Sequence, residues 1–302
     1  MRRLALLFFV LSLTASAQLH FRPDGTFKIV QFTDCHYIKG DARSEKCLIN
    51  LRHVMTMEQP DLIILTGDIV MRPPADGFLE PLKVVSESGI PFAFTFGNHD
   101  DEQGKTNAEL FDMAKNLKGN ITKEVENFLL TVNDNNENTK AVLYVFDTHH
   151  NGANKSQVEW YLTESQRFAG IPSWSFMHIP VVEYAEAAQT ERSFLVGTRG
   201  EKVCCPDTNE GLFPAMKKRG DMLGIFCGHD HDNDFVAQWQ KILLAYGRYS
   251  GGDTQYNNLG EPGGRVIVLH ENDRDFDTWI RLSDGRKINE VTYIKDFPKN
   301  RD

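Results

Sequence analysis

Apolar runs of the length of a buried strand recur along the chain, and five of them lead straight into an acid, an amide or a histidine. Phe27-Lys28-Ile29-Val30-Gln31-Phe32 runs up to Asp34, Leu62-Ile63-Ile64-Leu65 to Gly67-Asp68, and Phe92 to Phe96 to Gly97-Asn98-His99-Asp100. Between these runs the hydrophobic period changes to that of a helix. Cys47, Leu48, Leu51, Val54 and Met55 recur on one face before Pro60, and Leu82 and Val85 mark a shorter helix closed by Gly89. The alternation is β-α-β-α-β, and runs this uniformly apolar predict strands covered on both faces.

Further on, Thr106-Asn107-Ala108-Glu109 has the spacing of a capping box, with Leu110, Phe111, Ala114 and Leu117 forming an apolar face behind it. The polar stretch Asn133 to Asn138 predicts an exposed turn. Strands are expected at Ala141 to Phe146, Trp174 to Met177 and Met222 to Cys227, with a helix around Val158 to Leu162. After residue 234 short strands follow one another without helices: Phe235 to Trp239, Ile242 to Tyr246, Arg265 to Leu269 and Thr278 to Leu282. That is an antiparallel signature. The expected fold class is α/β, with two packed mixed β-sheets flanked by helices in a single domain over residues 18–302.

The N-terminus has a pattern of its own. Met1-Arg2-Arg3, the apolar run Leu4 to Leu13, and Thr14-Ala15-Ser16-Ala17 with its A-x-A site predict a cleaved signal peptide over residues 1–17. A bilayer span needs about 20 apolar residues, so a leader fits this run better than an anchor, and no stable membrane insertion is expected after cleavage. The destination is export, to the periplasm or outside. The formal charge is −9, from 33 Lys and Arg against 42 Asp and Glu, and loss of Arg2 and Arg3 with the leader brings it to −11. An acidic surface repels nucleic acid and anionic membranes, so no nucleic-acid partner is expected. Five cysteines in 302 residues are too few for a disulfide-stapled mini-fold, and no C-x-x-C pair offers a structural zinc site.

The chemistry lies where the runs end. They yield Asp34-Cys35-His36, Gly67-Asp68, Gly97-Asn98-His99-Asp100, His178 after Ser175-Phe176-Met177, and Gly228-His229-Asp230-His231. In extended chain, residues i and i+2 face the same way, so Asp34 and His36 can converge on one ion, and His229 and His231 share one face after a glycine, which packing seldom requires. Taken singly, an acid or amide after a strand is most often a turn former or helix cap. Taken together, strand ends in one open sheet meet at one rim, where α/β proteins carry their sites. Carboxylate, imidazole and amide oxygen together suit a metal such as Zn, Mn or Fe.

The ordered set D-x-H, G-D, G-N-H-D, H and G-H-x-H over Asp34/His36, Asp68, Asn98/His99, His178 and His229/His231 resembles the calcineurin-like metallophosphoesterases. The flanking residues Pro60-Asp61-Leu62-Ile63, His178-Ile179-Pro180 and Gly228 to Phe235 are similar to the secreted purple acid phosphatase-like members. Purple enzymes carry G-D-x-x-Y, but here Gly67-Asp68-Ile69-Val70 is followed by Met71, so the resemblance implies a site that is not purple. It further implies that Asp34, His36, Asp68 and His231 hold one ion and Asp68, Asn98, His178 and His229 the other, with Asp68 bridging. Implied too are a phosphate ester substrate, a bridging hydroxide as nucleophile, and His99 serving the leaving oxygen. Asp100 is expected either to orient that imidazole or to form a turn. His149, His150, Arg248 and Tyr249 are further rim candidates, the last two beside an expected flexible Ser250-Gly251-Gly252. The implied function is exported phosphomonoester hydrolysis; a phosphodiesterase on the same site and a non-catalytic binding domain are the alternatives.

Overall fold

The apolar runs become strands whose side chains alternate between two different cores. In the strand Thr26–Phe32, Phe27 and Ile29 face one core while Val30 and Phe32 face another; in Leu62–Thr66, Leu62 and Ile64 part from Ile63 and Leu65 in the same way. A period of two with both faces apolar requires a cover on each side. The computed structural model describes residues 18–189 and 194–297; the leader expected over residues 1–17 lies outside them.

In chain order the strands are β1 (Leu19–His20), β2 (Thr26–Phe32), β3 (Leu62–Thr66), β4 (Phe92–Thr95), β5 (Asn127–Asn133), β6 (Thr139–Phe146), β7 (Ser173–Phe176), β8 (Leu195–Val196), β9 (Met222–Cys227), β10 (Val236–Trp239), β11 (Ile242–Tyr246), β12 (Gly263–His270), β13 (Phe276–Leu282) and β14 (Lys287–Tyr293). The α-helices are α1 (Glu45–Glu58), α2 (Leu79–Glu87), α3 (Asn107–Ala114), α4 (Lys155–Glu164), α5 (Glu183–Ala187) and α6 (Leu212–Arg219). Among the described residues they form a mixed sheet in the order β14-β13-β12-β2-β3-β4 and a second mixed sheet in the order β1-β5-β6-β7-β9-β11-β10-β8.

The two sheets share an apolar core that joins Ile29, Leu62 and Ala93 of the first to Leu143, Phe176 and Leu243 of the second. Helices α1, α2 and α3 cover the outer face of the first sheet through Cys47, Leu51, Val54, Leu82 and Leu110. Helices α4, α5 and α6 cover the second through Tyr161, Tyr184, Leu212 and Met216. The layering is α/β/β/α, as the pattern of runs predicts.

Local signals are realised where they are strong. Thr106 accepts from the Glu109 amide while the Glu109 side chain accepts from the Thr106 amide, so the capping box starts α3. Residues 134–138 form the turn between β5 and β6, closed by the Asn136 and Asn138 amides on the Asp134 carboxylate. The strand-only stretch after residue 234 divides between the sheets. The β10–β11 hairpin joins the eight-stranded sheet, where β11 runs parallel to β9, while β12, β13 and β14 form an antiparallel meander at the edge of the other. Strands β5 and β14 and helix α6 carry no comparable signal: β5 alternates between half-exposed and buried, β14 is largely exposed or half-exposed, and Pro214 sits in the first turn of α6.

Polar side chains tie the sheets together above their apolar core. Gln31 on β2 donates to the carbonyl of Cys227 on β9 at 3.0 Å, and Thr95 on β4 to that of Phe146 on β6 at 3.0 Å. Arg265 on β12, wholly buried, donates to the carbonyls of Tyr246 at 2.5 Å and Asp234 at 2.7 Å and to Thr278 Oγ1 at 3.2 Å. Burial lowers its pKa to about 10, so the guanidinium stays charged near neutral pH. Arg265→Ala strips two buried carbonyls of their donor and opens a cavity between the sheets, a loss on the order of 3–5 kcal/mol. Urea unfolding will show it as a lower midpoint; a loss under about 1 kcal/mol contradicts the cross-linking role.

Candidate metal centre

Five strands deliver the site, three from one sheet and two from the other. β2, β3 and β4 end at Asp34, Asp68 and Asn98-His99, and β7 and β9 end at His178 and His229/His231. The rim is therefore the seam between two sheets rather than the edge of one open sheet. Because both sheets present these strand ends on the same side, residues almost 200 positions apart come within bonding distance.

The local backbone departs from the extended geometry that the D-x-H spacing suggests. Asp34, His36, Asp68 and His229 have φ of 54°, 41°, 50° and 78°, in the left-handed region. Such a conformation costs a non-glycine residue about 1 kcal/mol or more and persists only where surrounding bonds over-determine it. They do so here. The Asp34 amide donates to Gly67 O at 3.1 Å, that of His36 to Asp68 O at 2.8 Å, and that of Gly228 to His178 O at 3.0 Å.

Three glycines let the carboxylates lie against the chain. A Cβ on Gly97 would stand 2.2 Å from Asp68 Oδ1, one on Gly228 1.8 Å from Thr33 Oγ1 and 2.6 Å from Asp34 Oδ2, and one on Gly67 2.5 Å from the Gly97 amide nitrogen. Backbone amides then orient the acids: His99 N donates to Asp68 Oδ1 at 2.9 Å, and His229 N to Asp34 Oδ2 at 3.1 Å.

Two groups of side chains able to hold a metal ion result. In the first, His36 Nε2 lies 2.9 Å from His231 Nε2, and Asp34 Oδ1 lies 3.6 Å from His231 Nε2 and 3.9 Å from His36 Nε2. In the second, Asp68, His178 and His229 place one ligand atom each within 4.8 Å of one another. Asp68 Oδ2 belongs to both: it is 3.2 Å from His178 Nε2 and 3.5 Å from His36 Nε2. Ligands about 2.0–2.2 Å from one ion stand roughly 3–4 Å apart, so these separations fit ions shared by the side chains. Asn98 Oδ1 fits as well, since it is buried with no hydrogen-bond partner.

Electrostatics points the same way. Asp34 and Asp68 are 1% exposed, an arrangement that favours cations beside them. Burial holds His36 well below the usual histidine range, and burial with the charge on His178 takes His229 down to about 3, so both imidazoles are neutral and offer a lone pair. For His178, burial is outweighed by the carboxylate of Asp68, which brings the group up to about 10, so this imidazole must give up a proton to an incoming ion. The outer nitrogens are fixed too: His178 Nδ1 faces Thr66 O at 2.8 Å and His231 Nδ1 faces Tyr256 O at 2.9 Å, as expected of metal-binding histidines.

The structure separates the remaining candidates. His99 is a third exposed, and its ring is held by Glu102 Oε2, 2.7 Å from Nδ1. Asp100 does not reach that imidazole; its carboxylate accepts the amides of Ile69 at 2.8 Å, Val70 at 3.0 Å and Gly97 at 2.8 Å, and so braces the loop after β3 against the loop after β4. Burial beside Asp68 raises Asp100 to about 7. Arg248 is buried, and its guanidinium is taken up by Asp234 and the carbonyls of Leu259 and Glu261. Ser250, Gly251 and Gly252, expected to be flexible, are all buried, and Tyr249 packs its ring against His231 at 4.8 Å. His149 keeps to Asp147, while His150 pairs with Asp101 at 3.2 Å on the His99 side of the rim. Sequence reasoning missed Glu102, although an acid three residues beyond His99 is the spacing at which helical side chains meet.

A profile of the calcineurin-like phosphoesterases matches residues 27–233, from the first predicted strand to just beyond His231. The chain belongs to this family, which implies two divalent metal ions and a hydrolase fold. The Arabidopsis thaliana protein named probable inactive purple acid phosphatase 14 is 28% identical over 314 residues, covering 82% of this chain and 75% of that one. Phosphatase DCR2 of Saccharomyces cerevisiae is 29% identical across 91% of this chain, which spans 57% of the yeast protein. A dimetal phosphatase from Danio rerio shares the fold, with a TM-score of 0.61 at 11% identity over 88% of this chain and 98% of the other.

Because each ligand set draws on both sheets, metal uptake will raise the thermal midpoint of the protein, and Asp68→Ala will abolish that rise together with binding. Gly97→Ala, which touches no ion itself, will displace the Asp68 carboxylate and reduce bound metal measured by plasma mass spectrometry. Full metal content in Gly97→Ala contradicts the cradle.

Proposed function

We propose that the chain is an exported dimetal phosphoric-ester hydrolase that acts on phosphomonoesters. The observation that carries this reading is Asp68 Oδ2, placed 3.2 Å from His178 Nε2 and 3.5 Å from His36 Nε2, where the two groups of side chains meet. Asp34, His36, Asp68 and His231 would hold one ion, and Asp68, Asn98, His178 and His229 the other, with Fe, Mn or Zn suited to such donors. Bound there, two divalent ions supply a water acidic enough to deprotonate at neutral pH and a positive clamp for the phosphoryl oxygens.

The chain's own residues do the rest. Asp34 and Asp68 bring the negative charge that gathers cations, while backbone amides and glycine cradles keep both carboxylates in place. His99 stands beside the ligands, 5.6 Å from the His36 ring between centroids, where its proton can pass to a departing alkoxide. Glu102 holds that ring by Nδ1. Burial works against the charge on His99, but Asp68 and Glu102 outweigh it and keep its pKa above the usual value.

Similarity to proteins named phosphatases supports the monoester assignment. Although the Arabidopsis relative is named inactive, here every ligand position is filled and His99 is present, which supports turnover. The leader over residues 1–17 supports export, with Gln18 as the first residue of the mature chain.

Steady-state hydrolysis of para-nitrophenyl phosphate and bis(para-nitrophenyl) phosphate by protein stripped and reloaded with Mn, Fe or Zn tests the assignment. A metal-dependent preference for the first is expected, and Asp68→Ala should remove turnover of both. Preference for the second moves the same site to phosphodiester chemistry, and no turnover with both positions loaded overturns the hydrolase reading. His99→Ala should cost about 10²–10⁴-fold on alkyl phosphates, whose leaving group needs a proton, and much less on para-nitrophenyl phosphate. Glu102→Gln should show the same dependence on the leaving group with a smaller loss; equal losses on both esters would remove His99 from the proton transfer.

A further inference from the structure

The rim carries one aromatic side chain that the chemistry above does not use. Tyr256 is 48% exposed, yet its ring lies flat on the metal-ligand side chain His231, with centroids 4.4 Å apart and planes 28° apart. Its hydroxyl donates to Glu201 Oε2 at 3.1 Å, and Glu201 is itself anchored by the Asp232 amide at 2.7 Å. The ring is thus held by a stack on one face and a hydrogen bond at its tip.

Supporting His231 does not require this exposure. Tyr249, 2% exposed, already packs against His231 from within the fold, and the hydrogen bond from His231 Nδ1 goes to the Tyr256 backbone carbonyl, which any residue would provide. What the Tyr256 side chain adds is a rigid, open aromatic face beside the metal ligands. A flat apolar surface fixed in advance loses little entropy on accepting another ring. The rings His99, His36, His231 and Tyr256 are successive neighbours, with centroids 5.6, 4.7 and 4.4 Å apart, so two ligand imidazoles separate this face from the proton donor. The carboxylates of Glu201 at the Tyr256 end and Glu102 at the His99 end disfavour an anionic organic group.

We propose that Tyr256 is a substrate platform on which the planar, uncharged organic group of the ester stacks, so that the site prefers aryl and nucleoside monoesters to alkyl ones. The inference rests on the phosphatase reading above and names the substrate class for that site.

The test uses the full metal-loaded mature chain, as wild type, Tyr256→Ala and Tyr256→Phe, each with its metal content measured. Substrates are phenyl phosphate, adenosine 5′-monophosphate and glycerol 2-phosphate, and calorimetric binding compares phenylphosphonate with methylphosphonate, neither of which is hydrolysed. Tyr256→Ala is expected to lower kcat/KM about five- to tenfold for at least one of the two planar esters while glycerol 2-phosphate changes by less than about twofold, and Tyr256→Phe to retain the preference. Whichever planar ester loses more distinguishes an aryl from a nucleoside source. Phenylphosphonate should bind wild type more tightly than methylphosphonate does, and that gap should close in Tyr256→Ala. Parallel loss on all three esters, or a phosphonate gap unchanged in Tyr256→Ala, overturns the platform. Wild type that hydrolyses none of the esters overturns the phosphatase reading instead, and phosphonate binding then still decides the role of Tyr256.

Discussion

Two carboxylates buried at the seam between two sheets set the terms for the rest of this structure. Asp34 and Asp68 are almost wholly buried, and each buried charge costs several kcal/mol unless opposite charge or hydrogen bonds match it. Both acids come from one sheet, whereas His178, His229 and His231 come from the other. The sheets must therefore meet at one separation and one register for the acids to find their partners. Arg265, Gln31 and Thr95 hold that separation with bonds that cross from sheet to sheet, and the apolar core below them is continuous between the two layers.

The ligand loops follow from the same constraint. To turn a carboxylate or an imidazole back towards the seam directly after a strand, the chain enters the left-handed region at Asp34, His36, Asp68 and His229. Glycines at 67, 97 and 228 leave room for the acids, and Asp100 ties the loop after β3 to the loop after β4. Local strain of this kind is tolerated because backbone hydrogen bonds from neighbouring loops leave the ligands no alternative geometry. The result is a rigid inner ring of ligands and a more exposed outer rim. His99 paired with Glu102 and Tyr256 paired with Glu201 stand on that rim. On the proposed reading, the inner ring holds the ions and the outer rim meets the organic part of the substrate.

Much of this was legible in the order of residues. The strands β2, β3, β4 and β9 announce themselves because their runs are mostly apolar, β7 because Trp174 and Phe176 lead into Met177 before His178, and the helices that follow β2 and β3 because their period is helical. The capping box at Thr106 and the turn after Asn133 are equally local, set by residues within four positions of one another. The ligand set is legible for a related reason: strand ends of a layered α/β fold share one side, so acids and histidines placed there gather without further instruction.

Other features depend on contacts that no local pattern carries. Which sheet each late strand joins, the pairing of His36 with His231 across 195 positions, and the left-handed backbone at the ligands follow from how the two sheets pack. Arg248 looked available at the rim and is buried, because Asp234 and two carbonyls draw it inwards. Asp100 looked poised to orient His99, yet three backbone amides claim its carboxylate and Glu102 takes the ring. The sequence by itself determined the elements and the kinds of ligand, since hydrophobic period and residue type are properties of short stretches. Only the tertiary structure decided which atoms face each other, because the seam is built by contacts between segments far apart along the chain.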